Sequence, residues 1–186
     1  SVKGEIVRDA SAVTGQELQF VGGHPIAGTE NSGVEFADAQ LFEGRRCILT
    51  PVADTHKMAL NRVTTMWETV GCSVYRMDPE LHDRIFGIVS HLPHVVAYAL
   101  INSVVDSDDA ESLAEFAGGG LRDYTRVAAS SPEMWAQIFM ANREMVLRAV
   151  GGFKNSIESI EEALRSGDLE RLARELGKAS DFKRNL

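Results

Sequence analysis

Two kinds of apolar spacing divide the chain. Up to about residue 77 the apolar positions fall in compact runs of strand type, at residues 18–21, 46–50 and 72–77, the second stopped by Pro51. Residues 6–12, ahead of these runs, read as a short helix ending near Gly15, and residues 32–42 as a loop with a helical turn. Asp54 is placed to cap a helix reaching about Val70, with Met58, Val63, Met66, Trp67 and Val70 on its apolar side and Gly71 closing it. This alternation is that of the last portion of an α/β sheet. From Asp78-Pro79-Glu80, a cap followed by a proline at the first helical position, the pattern turns helical.

Residues 81–105 are the longest apolar segment. Apolar side chains occur nearly all round it, which predicts a central, buried helix, kinked or divided at Pro93. A polar break at residues 106–109 and a hinge at Gly118-Gly119-Gly120 follow. Then come a short helix over 121–130 and a helix capped by Ser131-Pro132-Glu133 that reaches about Val150, with Gly151-Gly152 as an interruption. Amphipathic helices over 155–165 and 169–183 end the chain. So continuous an apolar segment in so few residues predicts a dimer, with a monomeric bundle as the alternative.

Composition narrows the classes. The 186 residues are 44% apolar and 25% charged, as in a soluble globular protein. A formal charge of −8 argues against a nucleic-acid partner and suggests a cytoplasmic protein; an anionic substrate would need a local cation to overcome that field. Cys47 and Cys72 sit in apolar runs and are expected as buried free thiols. The polar N-terminus carries no signal peptide, and no apolar run is expected to reach the roughly 20 residues that span a bilayer, so no membrane partner is expected. The opening Ser1-Val2-Lys3-Gly4, without a methionine, reads as part of a longer protein.

The stretch with the richest chemistry is Gly22-Gly23-His24-Pro25-Ile26-Ala27-Gly28-Thr29-Glu30. The paired glycines allow a sharp turn or a close approach, and a histidine at a strand's end exchanges a proton near neutral pH. A Gly-rich loop with a solvated histidine is the plain alternative. His91 and His94 flank Pro93 and share a helix face, whereas His82 points elsewhere and reads as a buried histidine capping a helix contact. Asp83 is not placed to complete a metal site with them, and no metal is expected. Gly118-Gly119-Gly120 before Arg122 and Arg126 reads either as an anion cradle with a guanidinium fork or as a solvated basic turn. No G-x-G-x-x-G fingerprint occurs.

Taken together, the motifs resemble the prephenate and arogenate dehydrogenase family of tyrosine biosynthesis, including its cyclohexadienyl members. The resemblance rests on Ser1-Val2-Lys3-Gly4, on residues 24–33, on Leu41-Phe42-Glu43-Gly44 and Ile48-Leu49-Thr50-Pro51, and on His82-Asp83. It continues through residues 90–94, Gly118-Gly119-Gly120, residues 123–126 and residues 131–135, in order, over about residues 1–150. It implies a mainly α fold: the last strands of a Rossmann-type α/β domain over residues 1–52, then a helical substrate-binding and dimerisation domain over 53–186. It implies oxidative decarboxylation of a cyclohexadienol, prephenate or arogenate, with hydride transfer to NAD or NADP, in a homodimer, with L-tyrosine as an inhibitor. His24 would accept the carbinol proton, with Ser1 beside that hydroxyl and the nicotinamide. Arg126 would pair with a substrate carboxylate. His94, Thr29 and Gly119 would line the substrate pocket, and Glu30 and Asp123 would form a polar gate at its mouth. With most of the nucleotide domain missing, the chain alone is expected to be inactive. The rival readings are a non-catalytic dimerisation piece of that enzyme and a β-hydroxyacid-type dehydrogenase, whose catalytic lysine has no counterpart in these motifs.

Overall fold

The structure is a computed structural model that describes residues 1–13, 19–28 and 33–186. The expected helix end near Gly15, the Leu18 start of the first expected strand, and Thr29 and Glu30 fall outside the described residues. Helix α1 (Gly4–Val13) and strands β1 (Gly22–Pro25) and β2 (Arg46–Thr50) come first, then α2 (Lys57–Thr69) and β3 (Ser73–Arg76). The sheet has the order β1-β2-β3: β1 runs antiparallel to β2 with His24 opposite Ile48, and β3 runs parallel to it with Cys47 opposite Val74. The central strand is buried over its last four residues, as a continuous apolar run predicts. Cys47, Leu49 and Cys72 form the core here, with Phe42, Val63 and Trp67 packed around them. Both thiols are free, and burial pushes them up, Cys47 to about 11, so they stay protonated and inert.

Several expectations are corrected. The first strand lies at Gly22–Pro25 rather than 18–21, so the paired glycines are inside it and His24 is a strand residue. The reason is a close approach: a Cβ on Gly22 would lie 2.3 Å from Thr50 Oγ1 and 2.8 Å from Val7 Cγ2. Only glycine lets α1 lie on this strand. The sheet itself continues beyond residue 52, where β3 pairs with β2 and α2 packs on β3. The cap of α2 is His56, whose Nδ1 accepts from Met58 N at 3.3 Å, rather than Asp54. Gly71 closes the helix at φ +91°.

Beyond β3 the chain is helical. Helix α3 (Pro79–Phe86), a π-helical segment (Gly87–His91) and α4 (Leu92–Val105) form one rod of 27 residues. Pro93 does not divide it. Proline has no N–H and crowds the carbonyl four residues back, and the wider π turn immediately upstream absorbs that conflict. The rod is not enclosed either: α4 buries only Ala97, while Ile88, Val89, Leu100 and Val105 are exposed. The apolar pattern reports a need for burial, and one protomer meets it on one side only. By length and composition Pro79–Val105 also reaches what a membrane span requires, which overturns the expectation that no stretch does so. Its acidic and basic residues, Glu80, Asp83 and Arg84, are all in its first two turns.

Helices α5 (Ala110–Glu115), α6 (Gly119–Thr125), α7 (Pro132–Ala141), α8 (Arg143–Ser166) and α9 (Leu169–Arg184) follow, with a 3-10 turn at Arg126–Ala129. The Ser131 hydroxyl caps α7 by accepting from Met134 N. The helix expected to reach Val150 breaks at Asn142 instead, and α8 runs through Gly151-Gly152 without interruption. Asn142 turns inward there to donate to Asp83 O and His91 Nδ1. Gly22→Ala is expected to destabilise the fold by about 1–3 kcal/mol through overpacking. Thermal unfolding followed by circular dichroism reads this as a lower Tm, and an unchanged Tm would remove the close contact between α1 and β1.

Candidate active site

β1 brings His24 to the base of the helical rod. Its ring lies 4.7 Å from Phe86 and 5.0 Å from His82, centroid to centroid, and its Nδ1 is 2.8 Å from His82 Nε2. His82, on α3, is fully buried and stacks on Phe86 at 4.4 Å. Its other nitrogen, Nδ1, is 2.8 Å from Asp83 Oδ1. The Asp83 carboxylate also accepts from the backbone amides of Lys3 (2.7 Å) and Gly4 (2.8 Å). Burial pushes this carboxyl up, but the hydrogen bonds from His82, Gly4 and Lys3 outweigh it and hold the group below the usual range. His24 is pushed down to about 3, chiefly by burial and further by nearby positive groups, so its imidazole is neutral near pH 7.

The facing wall comes from the rod, the 3-10 turn and α7. His94 Nδ1 donates to Ser90 O at 2.8 Å, and its ring stacks on Trp135 at 3.5 Å. Burial lowers its pKa, opposed in part by that hydrogen bond. His91, one turn before, points into the protein rather than along with His94: its Nδ1 accepts from Asn142 Nδ2 at 3.1 Å, and burial takes it down to about 4. The two histidines share a helix but serve different neighbours.

A cleft of about 790 Å³ opens between these walls, lined by His24, Phe86, Ser90, His94, Arg126 and Trp135 among others, with Arg45 at one side. It brings together three of the expected residues, His24, His94 and Arg126. Gly119 and Asp123 lie one turn apart on α6 and do not line it, and exposed Ser1 does not line it either. At the expected anion cradle, a Cβ on Gly118 or Gly120 would meet nothing within 4 Å, so no close approach requires these glycines. Sequence reasoning missed His82 as a partner of His24, along with Phe86, Trp135 and Asn142. The one local signal for His82 was the acid beside it at the start of a capped helix. The ring contacts of Phe86 and Trp135 join segments far apart in sequence and leave no local trace.

The chain matches two family models: "Prephenate dehydrogenase, nucleotide-binding domain" over residues 1–76 and "Prephenate dehydrogenase, dimerization domain" over residues 78–178. It is 36% identical to a prephenate dehydrogenase of Bacillus subtilis over 187 residues, covering 100% of this chain and 50% of that protein. It is 37% identical to a cyclohexadienyl dehydrogenase of Zymomonas mobilis over 151 residues, covering 80% of this chain and 52% of that one. The chain thus spans about half the length of these curated relatives. Among solved structures, a prephenate dehydrogenase from Aquifex aeolicus, in complex with hydroxyphenyl propionate and NAD+, superposes with a TM-score of 0.93 at 44% identity, covering 100% of this chain and 64% of that one. An arogenate dehydrogenase from Synechocystis gives 0.86 at 27% identity, covering 100% and 67%. The fold, the cleft and both family matches agree: the chain belongs to the prephenate dehydrogenase family.

Proposed function

We propose that the cleft is the substrate site of a prephenate or arogenate dehydrogenase, which oxidises the carbinol carbon of a cyclohexadienol while its ring carboxylate leaves as carbon dioxide. The observation that carries this reading is a neutral imidazole, His24, and a guanidinium, Arg126, lining one cleft large enough for a substituted ring. With Nδ1 engaged by His82, His24 has Nε2 left to accept the hydroxyl proton as the carbonyl forms. Arg126 supplies the cation that a dianionic substrate needs in a chain of net charge −8. His94, held by Ser90 and Trp135, gives one side of the ring site. The ligands in the Aquifex complex, hydroxyphenyl propionate and NAD+, support the same assignment. L-tyrosine, with a ring and a carboxylate, would use the same anchors as an inhibitor.

NAD or NADP, when bound, accepts the hydride. The sequence offers no G-x-G-x-x-G phosphate cradle for such a dinucleotide. The chain's own contribution is therefore to bind, orient and deprotonate the substrate.

The second partner in this reading is another copy of the chain. Phe153, Ile157 and Leu164 make an exposed apolar stripe along α8, and Leu100 and Val105 are exposed apolar residues on α4. Apolar faces of this kind mark an interface. Pairing also supports the expectation of a water-soluble, cytoplasmic enzyme despite its long apolar rod.

Three outcomes test the reading in the full-length protein. His24→Asn is expected to lower kcat by about 10²–10⁴ with little change in KM; an equal loss in binding would argue against a role in the transition state. Arg126→Ala is expected to raise KM roughly tenfold to a hundredfold, as loss of a charge-assisted pair implies; an unchanged KM takes Arg126 out of the substrate site. Ile157→Glu together with Leu164→Glu should shift sedimentation from dimer to monomer, and a dimer that persists would move the interface off α8.

A further inference from the structure

We propose that His82 and Asp83 form a proton relay behind His24: they fix the tautomer that leaves Nε2 free for the substrate, and they take up the proton that His24 receives. The proposal rests on the reading of His24 as the base.

The hydrogen-bond chain sets each proton in turn. Asp83 accepts two backbone amides, from Lys3 at 2.7 Å and Gly4 at 2.8 Å, so it is an ionised acceptor with no proton to give. His82 Nδ1, 2.8 Å from Asp83 Oδ1, must therefore be the donor. In neutral His82 the other nitrogen, Nε2, is then an acceptor, and it stands 2.8 Å from His24 Nδ1. That makes His24 Nδ1 a donor and leaves the lone pair on Nε2. Tautomers are set by the hydrogen bond on the opposite ring nitrogen, and here three successive groups set one.

The same two contacts also fit the state after proton transfer. The substrate O–H bond breaks and His24 Nε2–H forms. His24 Nδ1–H breaks and His82 Nε2–H forms, leaving His24 neutral and His82 an imidazolium against the Asp83 carboxylate. No atom needs to move further than a proton crosses a 2.8 Å contact. The surroundings favour this hand-over. A group held near 3, as His24 is, resists protonation at pH 7 by roughly 10⁴. Lys3 and the neighbouring His91 oppose a charge left on His24, while the carboxylate is in contact with His82 and not with His24. His82 is also immobile: it has no exposed surface and is stacked on Phe86.

Nitrogen-15 NMR of the imidazoles and steady-state kinetics test this in the full-length protein. In the unmodified protein His24 should carry its proton on Nδ1; a proton on Nε2 overturns the relay whatever the variants do. Asp83→Asn can keep an acceptor oxygen at the position shared by Lys3 N and His82 Nδ1, but it removes the negative charge that would hold a protonated His82. The His24 tautomer should stay, and kcat should fall about 10²-fold or more with KM within about twofold. His82→Gln keeps an acceptor oxygen for His24 Nδ1–H but cannot take up a proton, so kcat should fall while the His24 tautomer stays. Full kcat in both variants sinks the relay alone, provided His24→Asn is impaired; an unimpaired His24→Asn removes the base itself.

Discussion

The buried Asp83 carboxylate ties the two halves of this structure together. A charge removed from water is costly unless its lone pairs are filled, and here the fillings come from three places. Two are the backbone amides of Lys3 and Gly4, at the start of α1. These are among the donors that a helix leaves without internal partners at its N-terminus, where the helix dipole also favours negative charge. Asp83 is thus a cap for α1 from 79 residues away in sequence. The third is His82, which turns the same anion toward the cleft. Folding and chemistry share one side chain: the carboxylate that fastens α1 to α3 also sets the proton on the histidine behind His24.

That arrangement accounts for irregularities in the helical part. The π turn at Gly87–His91 lies between the relay on α3 and the cleft wall on α4, and it rotates one against the other. Close packing passes through Gly87, where an added Cβ would lie 3.1 Å from Met145 Cβ on α8. One turn of chain away, Asn142 gives up helical geometry to bond Asp83 O and His91. Both departures from ideal helix occur where α8 meets the rod, beside the site.

Much of this was legible in the sequence, and the illegible part has a common cause. Periodicity located β2 at Arg46–Thr50, because a central strand buried on both faces writes a continuous apolar run. It gave the helical second half, the helix start after Asp78 and the cap at Ser131, which are local signals, although the Asp78 side chain itself makes no capping bond. It failed where a distant contact outweighed the local preference. Gly22-Gly23 is a strand because α1 crosses it, and Asn142 is a break because Asp83 and His91 need donors, whereas Gly151-Gly152 stays helical within α8 although an added Cβ there would meet nothing within 4 Å. At the site, the residue types were readable and their pairing was not. His24 and Arg126 carry motifs, whereas the contact from His24 to His82 spans 58 residues and follows only from the fold.

The three histidines around the cleft differ in what they offer, and their backing partners decide it. His94 donates through Nδ1 to a backbone carbonyl, which leaves its Nε2 a lone pair, as the relay leaves His24. His91 is reversed: Asn142 must use its amide hydrogens, since one of its contacts is the Asp83 carbonyl, so His91 Nδ1 accepts and Nε2 holds the proton. That N–H is fully buried and has no hydrogen-bond partner among the described residues, and the Trp135 indole N–H is in the same condition. Unmade buried donors cost about 1–3 kcal/mol each. Burial holds His24 and His94 below the usual imidazole range, so these cleft-lining histidines are neutral near pH 7, and Arg126 and Arg45 line the same cleft. In the proposed reading the arginines would select a carboxylate-bearing ring, while the histidines would handle protons.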